Sequence, residues 1–137
     1  MKREIKLNLV IFLILFVLTC PSYCCAKNTG FFAEAGPMLL SPVTENISLS
    51  GKDHLEFRWW RVEMPWTDHF IFKLYKGYNT TADNLIFKQN YSAWDYPVKL
   101  PASQFEIGQV YTWVLQQVFS GGIKSDKSFS SFTIIEK

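Results

Sequence analysis

The chain has 137 residues with 14 basic and 12 acidic side chains, so its formal charge is only +2. That length suits one modest domain. The near-balanced charge gives no electrostatic case for a nucleic-acid partner. Aromatic residues make up 17% of the chain, and each buries a large area, so a small domain can build a core from few of them.

The first 26 residues read as a secretory signal peptide. Lys2, Arg3 and Lys6 precede an unbroken apolar run from Leu9 to Leu18, and Thr19 to Ala26 is more polar, with Pro21 and small residues. The run is shorter than the roughly 20 residues that span a bilayer. Cleavage is expected after Ala26. The alternatives are an uncleaved anchor or a lipidated Cys20, Cys24 or Cys25, and only those would bring a membrane partner. The expected location is therefore exported, periplasmic or extracellular. All three cysteines lie in this segment, so a chain cleaved there has neither disulfide nor thiol chemistry. Cleavage also removes three basic residues and one acid, which leaves the remainder near neutrality.

Residues 27–36 read as a flexible lead-in, and 37–137 as the folded domain. Pro37 to Ser50 suggests one short edge strand, where prolines are tolerated. Gly51 to Asp53 is a turn. In His54 to Val62, Leu55, Phe57 and Trp59 alternate with Glu56, Arg58 and Trp60, which places the apolar set toward a core. Glu63 to Asp68 reads as a loop containing Pro65. His69 to Lys76 forms the next strand, with Phe70, Phe72 and Leu74 inward. Gly77 to Asn84 is a turn cluster, Leu85 to Lys88 a short strand, and Asn90 to Asp95 a loop carrying Trp94. Tyr96, Val98 and Leu100 alternate again up to Pro101. Phe105 to Phe119 is the longest strand-like run, with Tyr111, Trp113 and Leu115 on one face and Thr112, Val114 and Gln116 on the other. A Gly121-Gly122 turn leads to a last strand, Ser130 to Ile135. Seven short strands with turns between them, and no helical period, give an all-β, seven-stranded antiparallel sandwich.

Four patterns resemble the fibronectin type III family in its secreted bacterial form. They are Leu55-x-Phe57-x-Trp59, Phe70-x-Phe72-x-Leu74, Phe105-x-x-Gly108-x-x-Tyr111 and Tyr111-x-Trp113-x-Leu115. The third is similar to a tyrosine corner, in which a Tyr hydroxyl bonds to upstream backbone. Together they cover about Pro37 to Ile135. Phe70 stands where the family usually has Tyr, and Gln117 where it prefers a small residue. The resemblance implies two antiparallel sheets packed face to face and a non-catalytic binding or spacer role. The chain has no Arg-Gly-Asp tripeptide, and no cysteine pair that would favour an immunoglobulin domain.

Chemistry-bearing motifs are sparse. His54 and His69 are the only histidines, and each follows an aspartate whose side chain should point to the opposite face of extended backbone. No nucleophile elbow or phosphate loop is present. No catalytic, cofactor-binding or metal-binding residue is therefore assigned, and no cofactor is expected. Asn46-Ile47-Ser48, Asn79-Thr80-Thr81 and Asn90-Tyr91-Ser92 match the glycosylation pattern but read as turn residues. The functional lead is a surplus of outward aromatics: Trp60, Trp66, Tyr75, Tyr78 and Trp94. Such rings can stack on sugars or anchor a protein. A second lead is an apolar outer phase, including Ile71, Val110, Val114 and Val118, that could join the chain to an envelope assembly or to a second copy. The expected function is that of an exported, non-catalytic module binding a protein or glycan; the alternative is a structural subunit.

Overall fold

Residues 35–60, 66–92 and 94–137 are described by a computed structural model. The expected signal peptide, residues 27–34 of the lead-in, and the segment 61–65 lie outside them. The described residues belong to one compact unit, Ala33–Lys137. Among them are eight strands: β1 (Leu39–Ser41), β2 (Glu45–Ser48), β3 (His54–Trp59), β4 (Thr67–Lys76), β5 (Leu85–Ser92), β6 (Val98–Pro101), β7 (Val110–Phe119) and β8 (Lys124–Glu136). Helical structure is confined to short turns at Ala82–Asn84 and Ala102–Gln104.

The strands form two sheets, ordered β1-β3-β6 and β2-β8-β7-β4-β5. Their inner faces share one core, an all-β arrangement consistent with a sandwich. Leu55, Phe57 and Trp59 of β3 meet Phe70, Phe72 and Leu74 of β4, Tyr111, Trp113 and Leu115 of β7, and Phe132 and Ile134 of β8, all buried. The alternation read from the sequence thus picks out the inward side chains of four strands. Ring contacts cross between the sheets: Phe57 lies 4.9 Å from Phe72 and 5.3 Å from Trp113, and Trp59 lies 5.2 Å from Phe70.

The expected corner is formed. Phe105 is buried, Gly108 has φ +77°, and the Glu106 N–H donates to the Tyr111 hydroxyl at 2.9 Å. Gly108 N–H then donates to the Ile134 carbonyl at 2.7 Å, which ties the corner to β8. A left-handed φ of this size is the reason glycine stands there.

Several expectations need correction. The single edge strand over Pro37 to Ser50 is two strands on different sheets. Pro42 has no N–H to continue a ladder, and Thr44 sits at φ 44°, so the chain leaves β1 there and crosses. Trp113 Nε1 donates to the Pro42 carbonyl at 2.8 Å, and the Thr44 N–H to Ser130 Oγ at 3.1 Å, fixing the crossing. Because β2 continues without reversing, it pairs parallel to β8, whereas every other strand pair is antiparallel. β5 runs to Ser92 and β8 begins at Lys124, so both outgrow their expected lengths. Apart from Tyr91 and Phe129 the extra residues are polar, and polar side chains suit an exposed edge such as β5. The lead-in is anchored at its end: Pro37 is buried, and a side chain at Gly36 would collide with Ser128 Oγ and the Asp126 carbonyl.

Gln117 is buried at its unusual place because it has partners. Its amide donates to Thr67 Oγ1 at 2.6 Å, and its backbone N–H to Ser125 Oγ at 3.0 Å, where the β7–β8 register shifts.

Candidate functional site

Antiparallel pairing decides which loops share an end of the domain. Thr67 pairs with Phe119, His69 with Ser92, Val118 with Lys124 and Phe57 with Val98. The end of β3, the start of β4, and the β5–β6 and β7–β8 connections therefore gather at one end. Trp60, Trp66 and Trp94 all lie there, 59%, 52% and 79% exposed.

Backbone bonds hold these tryptophans in place. The Trp66 carbonyl accepts from the Ser120 N–H at 2.7 Å and from Ser120 Oγ at 3.0 Å, which pins it to the β7–β8 turn. Around Trp94, the Ser92 N–H donates to Asp95 Oδ2 at 2.9 Å and the Trp94 N–H to Ser92 Oγ at 3.0 Å. The Trp60 N–H donates to the Met38 carbonyl at 2.6 Å. A surface ordered in advance loses less entropy on binding.

The other expected binding residues sit elsewhere. Tyr78 is exposed at the opposite end, in the turn after β4, where it lines a cleft of about 240 Å³ with Thr44, Asn46 and Ser131. Tyr75 and Val114 are buried, at 6% and 7% exposure, although both point to the outer face of the larger sheet. They are not the exposed patch expected of them. β4 and β7 have neighbours on both sides, and the Lys73 and Lys127 stems border the same shallow depression as Ile71, Tyr75 and Val114. Such stems cover apolar surface while the amines reach water. Ile71 is half-buried, as is Val110, whereas Val118 is buried.

The histidines also depart from expectation. His69 Nδ1 lies 2.9 Å from Asp68 Oδ2, because a bulge between Thr67 and His69 breaks the alternation that would separate them. Ser92 stands opposite His69 across the strand pair, but its Oγ accepts from Trp94, and no hydrogen bond joins it to His69 among the described residues. Among those residues there is no group of three metal-ligating side chains and no helix long and apolar enough to cross a membrane. Of the glycosylation triplets, only Asn79 lies in a turn; Asn46 is in β2 and Asn90 in β5, and all three asparagines are exposed.

On the smaller sheet, the hydrogen bond from Arg58 to Glu56, then those from Lys99 and His54, hold the Glu56 carboxyl down at about 2 from an ordinary 4.5. Because the folded pKa is depressed, the stabilisation is present above pH 4.5 and is lost as pH falls through about 2. Urea unfolding at pH 5, 3.5 and 2 should show a steeper fall for the parent than for Glu56→Gln. Parallel curves would mean that Glu56 is not the carboxyl responsible.

Comparison with protein-family models, with curated proteins and with solved structures returns no match.

Proposed function

We propose that the chain is an exported, non-catalytic binding module of fibronectin type III-like design, and that it recognises a protein or glycan through the loop end carrying Trp60, Trp66 and Trp94. The tyrosine corner and the order of the core strands support that design. One observation carries the function: three tryptophans from two separate stretches of the chain stand exposed at one end of the sheets. Large exposed rings give contact area at low entropic cost, and tryptophan is among the residues that dominate binding interfaces. Tyr75 and Val114 are buried, which favours the tryptophan end over these two residues as the binding surface.

The test is retention on a panel of immobilised glycans and on immobilised surface-protein fractions. Trp66→Ala combined with Trp94→Ala should weaken retention by about tenfold or more, as expected when two interface anchors are truncated, with the far-ultraviolet spectrum unchanged. A folded double variant that binds every parent ligand as well as the parent does would place the site elsewhere.

A further inference from the structure

The outer face of the larger sheet carries a charge pattern that the loop end does not explain. Its outward positions on β5, β4, β7 and β8 follow from the registers. Lys73 is paired with Lys88 on one side and with Val114 on the other, and Val114 with Phe129. One step along, Ile71 pairs with Gln116 and Gln116 with Lys127; beyond that, Val118 pairs with Lys124. The four lysines thus form a diagonal track, from Lys88 and Lys73 across β7 to Lys127 and Lys124. Neighbouring strands lie about 4.8 Å apart, so the track spans the full width of the four strands.

No carboxylate answers this charge. The ion pairs among the described residues are made by Glu56, Asp68 and Glu106, with His54, Arg58, Lys99, His69 and Lys76. None includes a lysine of the track. Asp126 adjoins Lys127 but makes no ion pair with a track lysine among the described residues, and Asp68 is held by His69. Like charges directly opposite one another on a sheet are destabilising, and Lys73 and Lys88 are such a pair. Burial, and then the charges of Lys88, Lys127 and Lys124, hold the Lys73 ammonium below the usual lysine range. The fold therefore gathers four cations, without an ion-pair partner among the described residues, on one face of a domain that is near neutral only as a whole.

We propose that this track binds a linear acidic polysaccharide, with its carboxylate or sulfate groups on Lys88, Lys73, Lys127 and Lys124 and its sugar rings along Gln116 and the exposed Phe129. The proposal uses a different surface from the tryptophan end and stands independently of it. Charge complementarity argues against a second copy, since two such faces repel. Shape argues against a protein partner. The depression at the centre of the face measures about 60 Å³, room for a carboxylate-sized group but not for the large aromatic or Arg anchors that dominate protein interfaces. The Thr80 hydroxyl and the Gln116 amide oxygen at its rim suit sugar hydroxyls, while the Gln116 amide nitrogen donates to the Ser125 carbonyl at 2.8 Å.

The test is affinity electrophoresis of the full chain in neutral detergent through gels containing polygalacturonate, dextran sulfate or neutral dextran. The parent should be retarded by one or both polyanions, not by dextran, and not at about 1 M salt, where screening acts within about 3 Å. Lys73→Gln with Lys127→Gln should weaken retention about tenfold. The control pair Lys52→Gln with Lys137→Gln, which removes the same charge elsewhere, should bind as the parent does. Lys88→Gln, on the exposed edge strand, leaves the core untouched and should weaken retention in the same direction even if the first variant is unstable. Equal losses in the control pair would reduce the effect to net charge and overturn the proposal. So would absence of retardation by both polyanions. Binding to phosphatidylglycerol vesicles without binding to either polysaccharide would overturn it in favour of a membrane surface.

Discussion

Trp113→Ala should lower the midpoint of thermal unfolding by about 15–30 °C. Truncating a buried tryptophan costs about 3–5 kcal/mol, and in a domain of this size each kcal/mol moves the midpoint by about 4–8 °C. Trp113 is fully buried in the middle of β7, with Phe57 at 5.3 Å and Phe72 at 5.9 Å. Its indole N–H also holds the Pro42 carbonyl at the crossing from β1 to β2. The variant therefore opens a cavity and orphans a buried acceptor together. Trp113→Phe weights the second effect, since it keeps part of the ring contact, leaves a smaller cavity than alanine and loses the hydrogen bond. It should cost about 1–3 kcal/mol, the range for a buried polar group left without its partner. Melts followed by circular dichroism decide the matter. If Trp113→Ala melted within a few degrees of the parent, the core would not be where these contacts put it.

What the sequence reveals and what it hides follow from the range of the forces involved. Alternation is local, so Leu55, Phe57, Trp59, Phe70, Phe72 and Leu74 could be assigned inward from their own neighbours. The corner is legible because Phe105, Gly108 and Tyr111 lie within seven residues and its closing bond, from the Glu106 N–H to the Tyr111 hydroxyl, is local. The outer phase was not legible, because its burial depends on strands far away. Tyr75 and Val114 alternate as exposed residues should, yet β4 and β7 are interior strands whose outer side chains lie among lysine stems. The lysine track is hidden for the same reason. Lys73 and Lys127 are distant in sequence and meet only through β7. Trp60, Trp66 and Trp94 were found as exposed rings, but only the pairing shows that they share an end and that Tyr78 does not. The Asp68–His69 contact is hidden in the sequence because a bulge is invisible to a pattern of period two.

Phe57→Ala should destabilise about as much as Trp113→Ala, for a reason that concerns the joining of the sheets. Phe57 is the central residue of β3, itself the middle strand of the smaller sheet, and it is fully buried. Its ring meets Phe72 of β4, Trp113 of β7, Phe132 of β8 and Phe105 at the corner, at 4.9 to 6.5 Å. Three of these contacts are edge-to-face, an arrangement worth about 0.5–1.5 kcal/mol per pair beyond area. The truncation itself costs about 3–5 kcal/mol. Because Phe57 and Trp113 touch, the two losses share a contact, and the double variant should cost less than the sum of the singles. It should still fail to fold at 25 °C if the parent has a stability near the low end of the usual range of about 5–15 kcal/mol. Phe129→Ala is the contrast: Phe129 is 70% exposed, and its loss should change stability by no more than about 0.5 kcal/mol. Urea unfolding of the single and double variants supplies the cycle. Strictly additive losses would show that the two rings act independently, and the two sheets would then be joined by something other than this aromatic contact.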